Sequence, residues 1–117
     1  MSLKILIVDD DEDFADGLME IFELEGHESA MAHSGGAAKS LVENTEFDVA
    51  LIDIGLPDMN GVECLRAIRA ARPGLPCFLL TGYSAQDVAN QGIEAGAVEI
   101  LTKPIDPAEL IRRLAAI

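Results

Sequence analysis

The stretch "ALIDIGLPDMNG", residues 50–61, decides the fold because its apolar run stops on a carboxylate. Together with the residues before it, the run reads "DVALI" over 48–52, which is typical of a strand covered on both faces. Asp53 follows where such a strand meets the surface, and a proline and a glycine soon after it indicate a loop. Asp53 is an ordinary loop residue, a metal ligand or a nucleophile, and the rest of the chain decides between these.

The composition predicts one compact domain spanning residues 1–117. Half of the residues are hydrophobic and a quarter are charged, which is ordinary for a soluble globular protein. The longest apolar runs are far shorter than a membrane span, and the opening "MSLKILIV" has neither the length nor the flank of a signal peptide. We therefore expect a cytoplasmic protein with no membrane association.

The formal net charge of −13 is concentrated near the start of the chain. Against Lys4 alone, the first 28 positions hold Asp9, Asp10, Asp11, Glu12, Asp13, Asp16, Glu20, Glu23, Glu25 and Glu28. A solvated helix face explains most of the acidic residues between positions 20 and 28. Nucleic-acid binding needs a basic patch, so we expect no direct nucleic-acid binding by this domain.

The cysteines and histidines do not form a recognisable metal or redox motif. Cys64 and Cys77 have no paired spacing and no histidine companion, so we predict that they are buried apolar side chains. His27 and His33 are isolated, which fits a surface or packing role.

Apolar runs alternate with helical patterns along the chain. The predicted strands cover residues 4–8, 28–32, 48–52, 76–80 and 98–101. The residues predicted to face inward from the helices are Phe14, Leu18, Ile21, Phe22, Ala37, Ala38, Leu41, Val42, Val62, Leu65, Ile68, Val88, Leu110, Ile111 and Leu114. Ser34, Ser84 and Asp106 are predicted N-caps, and Gly26 and Gly96 are predicted to end helices. Five strands alternating with five helices predict an α/β fold with a parallel sheet and helices on both faces.

Ligands of such sheets bind beyond the carboxyl ends of the strands, where the strand order reverses. Polar residues stand at four of these ends, namely Asp9-Asp10, Asp53, Thr81-Gly82 and Lys103-Pro104. Surface loops collect polar residues anyway, so each residue alone says little. Because every one of them falls at the carboxyl end of a strand, the set favours a functional site.

The chemistry of these residues suits phosphoryl transfer. Three clustered carboxylates repel one another unless a cation joins them, and hard oxygen ligands suit Mg²⁺. A carboxylate can itself attack phosphorus and form an acyl phosphate. Mg²⁺, the Thr81 hydroxyl, backbone N–H groups and the Lys103 ammonium would share the charge of the transferred group. Asp53 is central in the expected sheet and is the predicted nucleophile.

The sequence resembles a known family, the receiver domain of two-component response regulators in the CheY-like superfamily. The resemblance covers essentially the whole chain and is carried by "ILIVDDD", "ALIDIGLPDMNG", "LLTGYS" and "EILTKPI". It implies a flavodoxin-like (βα)5 fold with a doubly wound five-stranded parallel sheet in the order 2-1-3-4-5. It also implies that Asp53 takes a phosphoryl group from a histidine kinase or a phosphotransfer protein, which switches a partner-binding surface.

The resemblance further implies a role for each polar residue. Asp10, Asp53 and the main-chain carbonyl of Gly55 would bind Mg²⁺ or Mn²⁺ directly, and Asp9 would act through water. Such a domain is not an enzyme in the usual sense, because it catalyses only its own phosphorylation and dephosphorylation.

The remaining implied roles concern the phosphoryl group and the loop. Lys103 would contact the phosphoryl oxygens, and Thr81 would move to bond them. The Lys103-Pro104 peptide is commonly cis in the family, which proline allows. Pro57 and Gly61 would shape the loop after the phosphoacceptor.

Three positions depart from the family's pattern or tune it. Ile100 stands where the family usually has Tyr or Phe, and isoleucine is stiff at χ1 and has no ring to swing. Ile100 therefore either packs as an ordinary strand residue or weakens the coupling between Thr81 and the output surface. We also predict that Tyr83 partly covers the phosphoryl group and slows its hydrolysis, while Gly55 leaves the other side open.

Two other interpretations stay open. A docking module that needs no phosphate is compatible with Ile100, although the intact acidic and basic set speaks against it. A Mg²⁺-dependent aspartyl phosphatase would usually carry an acid at the position of Gly55, and the chain has no insertion large enough to select a substrate. Besides the kinase, the expected partners are an output domain or effector protein, and we expect a monomer or a weak dimer.

Overall fold

The computed structural model describes residues 2–82 and 86–117 of the chain. The strands are β1 (Lys4–Val8), β2 (Glu28–Ala32), β3 (Val49–Asp53), β4 (Cys77–Thr81) and β5 (Glu99–Thr102). The helices are α1 (Glu12–Leu24), α2 (Gly35–Asn44), α3 (Gly61–Ala71), α4 (Gln86–Glu94) and α5 (Pro107–Ala115). All strand pairs are parallel, and the sheet order β2-β1-β3-β4-β5 confirms the order implied by the resemblance.

Strands β1 and β2 begin and end as predicted, whereas β3, β4 and β5 each begin and end one residue later than predicted. In these three strands the ladder continues one residue beyond the apolar run, onto a polar residue. Asp53 is in register with Leu80, and Thr81 with Thr102. Two of the predicted site residues are therefore the last residues of strands and are held by the sheet itself.

The sheet is covered on both faces, as its continuous apolar strands predict. Successive side chains of a strand point to opposite faces, so each strand contributes to two apolar cores. One core joins Leu6, Ile52 and Leu79 to α2 and α3, and the other joins residues such as Ile7 and Leu51 to α1 and α5.

Both cysteines are buried in the core on the side of α2 and α3, which confirms their prediction as apolar side chains. Burial raises the pKa of the Cys64 and Cys77 thiols to about 12. Neither thiol ionises near neutral pH.

Side-chain caps start the helices. Ser34 accepts a hydrogen bond from the backbone N–H of Ala37, and Asp106 accepts one from Ala108, as predicted for N-caps. Asn60 caps α3, which was not predicted. The predictions for Ser84 as a cap and for the side chain of Val88 fall outside what the structure describes.

The inward prediction for Ala37 is wrong, because its side chain is exposed. Ala38 and Val42 form the buried face of α2 at i, i+4 spacing, and Ala37 lies roughly 100° around the helix from Ala38. Gly26 and Gly96 end α1 and α4 with φ of 83° and 109°, the left-handed region that favours glycine. Among the described residues no helix has the length and apolarity needed to cross a bilayer.

Two glycines inside helices predict opposite effects of the same substitution. A Cβ at Gly17 would have no neighbour within 4 Å, so Gly17→Ala should raise the free energy of unfolding by about 0.5–1 kcal/mol. A Cβ at Gly92 would lie 2.0 Å from Leu79 Cδ1 in the core, so Gly92→Ala should lower it by about 1–3 kcal/mol. Urea denaturation measures both values. Equal stabilisation by the two substitutions would contradict the close packing of α4 on β4.

Candidate functional site

The carboxyl ends of β1 and β3 bring two carboxylates side by side. Val8 is in register with Ile52, so the residues that come next, Asp9 and Asp53, are neighbours at this edge. The Lys103 ammonium, which follows β5, lies 2.8 Å from Asp9 Oδ2 and 3.0 Å from Asp53 Oδ1. Lys103 thus bridges the two carboxylates, and the predicted convergence of these residues is present.

Asp9 is the most buried of the acidic residues at this edge, with 1% of its surface exposed. Its Oδ1 accepts a hydrogen bond from the backbone N–H of Asp11 at 2.9 Å, and its Oδ2 accepts one from Lys103. A buried charge is tolerated when it is paired and hydrogen-bonded, and both carboxylate oxygens meet this condition. Asp9 is therefore fixed from two directions.

Asp9, Asp10 and Asp53 form the predicted acidic cluster. One carboxylate oxygen from each residue lies within 4.8 Å of the other two. Asp9 is buried, Asp53 is half-buried and Asp10 is exposed, so the cluster opens to solvent on the side of Asp10. Hard oxygen donors with solvent access fit Mg²⁺, which keeps part of its water shell. The residues present therefore fit the implied ion.

The loop between β3 and α3 folds back on the end of β3. The Gly55 backbone N–H donates to Asp53 Oδ2 at 3.2 Å, and Gly55 forms an antiparallel bridge with Asn60. The Gly61 N–H donates to the Ile54 carbonyl at 2.8 Å. A Cβ at Gly61 would lie 2.5 Å from the Asp53 carbonyl oxygen, so only glycine fits this return of the chain.

A contact that the sequence did not predict ties the same loop to α2. The Asp58 carboxylate accepts hydrogen bonds from the backbone N–H groups of Gly35 and Gly36, at 2.9 and 3.0 Å. N–H groups in the first turn of a helix have no acceptor within the helix, and a negative charge at this end of a helix is favourable. The hydrogen bonds from Gly35 and Gly36 lower the pKa of Asp58. Asp58 thus holds the loop against α2, while the predicted loop residue Pro57 is exposed.

Thr81 is buried at the end of β4, with 1% of its surface exposed. Its hydroxyl donates to the Gly82 carbonyl at 2.7 Å, and its own carbonyl accepts the Lys103 backbone N–H at 2.8 Å. The backbone of Lys103 is therefore anchored to β4 directly beside Thr81.

The structure describes Ile100 and Pro104 but not Tyr83, the third residue predicted to influence switching or the lifetime of the phosphoryl group. Ile100 is half-buried in β5, in register with Leu79, and packs against the core on the side of α2 and α3. The peptide between Lys103 and Pro104 is cis, as the resemblance implies. Tyr83 lies outside the described residues, so its predicted position over the phosphoryl group stays a prediction.

Phe14 contributes to the site in a way the sequence did not predict. Its helical spacing predicted a core residue, and the ring does pack partly against the core formed with α1 and α5. The Lys103 ammonium also lies 4.3 Å from the centroid of the Phe14 ring, within the range of cation–π attraction. No sequence pattern connects positions 14 and 103, because the contact depends on the folded arrangement of α1 and β5.

The charges of the site shift the pKa values of its groups. Burial raises the pKa of Asp53 and outweighs the hydrogen bond from Lys103, and the negative charge of Asp9 raises it further. Burial alone would lower the pKa of Lys103, but its hydrogen bonds to Asp9 and Asp53 prevail, so its pKa is raised. Because one ammonium is shared by two carboxylates, the negative charge of Asp53 is only partly neutralised.

The raised pKa of Asp53 predicts a pH-dependent effect of Asp53→Asn on stability in chelator-treated protein. The folded-state pKa lies above the ordinary value of 3.8, so ionised Asp53 destabilises the fold. This destabilisation is fully present above the folded pKa and disappears as the pH falls to the unfolded value. Urea denaturation should therefore show Asp53→Asn more stable than wild type at pH 7 and the difference shrinking towards pH 4. Asp16→Asn, which removes the same charge from an exposed position of α1, is the matched control, and an equal, pH-independent gain in both variants would contradict the prediction.

Known proteins share both the sequence pattern and the fold of this chain. The sequence model of the response regulator receiver domain matches residues 5–115. The transcriptional regulatory protein CpxR of Escherichia coli (strain K12) is 36% identical over 114 residues, which cover 97% of this chain and 48% of CpxR. The chain spans only about a quarter to a half of the length of the curated relatives it matches.

Solved structures share the fold. A response regulator receiver domain protein (CheY-like) from Methanospirillum hungatei JF-1 has a TM-score of 0.94 and 36% identity, covering 99% of this chain and 93% of that one. A response regulator protein from Burkholderia pseudomallei, solved with a phosphorylated aspartic acid, a calcium ion and citrate, has a TM-score of 0.88 and 27% identity. That match covers 96% of this chain and 66% of the other. With its family matched over nearly all of its length and its fold shared with solved members, the chain belongs to the receiver domain family of two-component response regulators.

Proposed function

We propose that Asp53 is the phosphoacceptor of this receiver domain and takes its phosphoryl group from a histidine kinase or a phosphotransfer protein. The observation that carries the proposal is the Lys103 ammonium bridging Asp53 and Asp9 at 3.0 and 2.8 Å, beside the third carboxylate of Asp10. The phosphorylated aspartic acid in the related protein from Burkholderia pseudomallei supports this chemistry for the family.

The transfer is a displacement at phosphorus. An Asp53 carboxylate oxygen attacks the phosphorus of a phosphohistidine, a new P–O bond forms, and the P–N bond breaks with its electron pair going to the imidazole nitrogen. Attack of water on the phosphorus of the resulting acyl phosphate returns the free carboxylate and releases inorganic phosphate. Burial raises the pKa of Asp53 above its ordinary value of 3.8. The hydrogen bonds that the carboxylate accepts from Lys103 and Gly55 act in the opposite direction and favour its ionised, nucleophilic form.

The residues around Asp53 take separate roles. Asp10, Asp53 and the Gly55 carbonyl would hold Mg²⁺ or Mn²⁺ directly, with Asp9 acting through water. When bound, the ion supplies positive charge to the phosphoryl oxygens. The Lys103 ammonium is already beside Asp53 and would donate to a phosphoryl oxygen.

Thr81 would report phosphorylation to the rest of the domain. Its hydroxyl donates to the Gly82 carbonyl, a neutral acceptor that a charged phosphoryl oxygen would outcompete. In β5, Thr102 is in register with Thr81, and Ile100, two residues earlier, packs on the core and has no ring to follow Thr81. Signalling would then pass through loop and helix shifts, and Ile100 also favours a second candidate function, a docking module that works without phosphate.

The relatives of the chain support a proposal for the setting in which the domain acts. CpxR is a transcriptional regulatory protein, and the chain matches 48% of it. We propose that residues 1–117 act as one cytoplasmic receiver domain whose partners include an output domain or effector protein. The domain would be a monomer or a weak dimer, and it would act only on itself rather than turn over an outside substrate.

Incubation with acetyl phosphate tests the phosphoacceptor directly. Intact mass spectrometry should show the addition of one phosphoryl group to most of the wild-type protein with Mg²⁺ and to little of it with a chelator. Asp53→Asn should remove the addition, because the amide is a poor nucleophile, whereas the matched exposed variant Asp16→Asn should keep it. Addition that persists in Asp53→Asn would contradict the assignment, and no addition to the wild type would favour the phosphate-independent docking module.

A further inference from the structure

Phe14 is tied to the acidic cluster through the start of α1. Its backbone N–H donates to Asp11 Oδ1 at 3.1 Å, which makes Asp11 the N-cap of the helix. The backbone N–H of Asp11 donates in turn to Asp9 Oδ1 at 2.9 Å. The carboxylate that pairs with Lys103 therefore also fixes the first turn of α1, and with it the position of the Phe14 ring.

The Lys103 ammonium has three partners in the described structure: Asp9, Asp53 and the ring of Phe14 at 4.3 Å. Its side chain is 25% exposed, so the contacts are partly shielded from water. A lysine side chain has many rotamers, and each contact of its ammonium reduces the number that it can adopt. The aromatic face differs from the two carboxylates because it attracts the cation without carrying a net charge.

This difference matters when a phosphoryl group approaches Asp53. Incoming phosphoryl oxygens compete with Asp9 and Asp53 for the ammonium, so the ion pairs have to rearrange. The ring makes no demand on the hydrogen-bond donors of the ammonium that a phosphoryl oxygen needs. It can therefore keep the head group beside Asp53 while those donors change partners.

We propose that Phe14 is a positioning residue for phosphorylation, whose ring holds the Lys103 ammonium beside the attacking carboxylate of Asp53. This role rests on the proposed function of Asp53 as phosphoacceptor. It differs from a purely structural role because it requires the π face of the ring, whereas packing against the core requires only apolar bulk.

Two substitutions separate these requirements. Phe14→Leu keeps apolar bulk and removes the π face, and Phe14→Tyr keeps the π face. With acetyl phosphate and Mg²⁺, Phe14→Leu should be phosphorylated about three- to tenfold more slowly than wild type, which lies within the range that cation–π energies allow. Phe14→Tyr should restore a rate close to that of wild type. Phe47→Leu is the matched control, because the Phe47 ring lies 5.8 Å from the Lys4 ammonium and has no contact with the acidic cluster among the described residues.

A double-mutant cycle tests whether the effect passes through Lys103. In the Lys103→Gln background, Phe14→Leu should cause no further slowing, because the cation that the ring holds is absent. In metal-free protein without a phosphodonor, the ε-methylene protons of Lys103 should show an upfield ring-current shift by NMR. This shift should persist in Phe14→Tyr and disappear in Phe14→Leu.

The possible outcomes distinguish this role from the proposed function. If wild type is phosphorylated on Asp53 but Phe14→Leu reacts at the wild-type rate, or Phe14→Tyr is as slow as Phe14→Leu, the role of Phe14 is wrong and the phosphoacceptor stands. Absence of the ring-current shift in wild type also overturns it. If the wild type is not phosphorylated on Asp53, the proposed function fails and the role of Phe14 fails with it.

Discussion

The bridge from the Lys103 ammonium to Asp9 and Asp53 is the interaction on which the site depends. Asp9 is almost completely buried, and a buried carboxylate without a partner would be strongly destabilising. The sheet order supplies the partner, because β1 and β3 are neighbours and the backbone N–H of Lys103 is bound to Thr81 at the end of β4. The fold and the charge arrangement of the site therefore support each other.

The same bridge leaves the charges of the site unbalanced in a way that suits the proposed phosphoryl transfer. Three carboxylates cluster at this edge and one ammonium pairs with two of them, so the described cluster keeps an excess of negative charge. Burial and the charge of Asp9 raise the pKa of Asp53 despite the ion pair. A divalent cation would relieve this repulsion, and the phosphoryl group would then meet a site with positive charge on two sides.

The loop after Asp53 is a second constraint, and it is made of backbone contacts rather than charges alone. Gly61 permits the chain to return to within contact of the Asp53 carbonyl, and Asp58 fastens the loop to the first turn of α2. The position of Asp53 is thus set by three elements: β3, the N-terminus of α3 and the N-terminus of α2. A group that must be placed accurately for phosphoryl transfer gains from such support.

The sequence was sufficient to predict the architecture and the meeting of the acidic residues and Lys103 at one edge of the sheet, for identifiable reasons. Apolar runs and helical spacing are local, and the carboxyl ends of parallel strands must share one edge, which placed Asp9, Asp53 and Lys103 together. The strand ends at Asp53 and Thr81 were missed by one residue, because polar residues can extend a ladder beyond its apolar run. Ala37 was misassigned because the buried face of α2 runs through Ala38 and Val42, and Ala37 lies roughly 100° around the helix from Ala38.

The contacts that escaped prediction join residues far apart in sequence. Asp58 reaches α2 and Phe14 reaches Lys103 only because the fold sets their side chains opposite those partners. Neither contact has a local pattern or a spacing that could have revealed it.

Lys103 and the three carboxylates are proposed to act as one electrostatic unit that binds a divalent cation. Calorimetric titration with Mg²⁺ at pH 7 tests it most directly. Wild type should bind one ion, Asp53→Asn should bind it more weakly, and Lys103→Gln should bind it several-fold more tightly because a competing positive charge has been removed. No binding by the wild type, or an unchanged affinity in Lys103→Gln, would contradict the account.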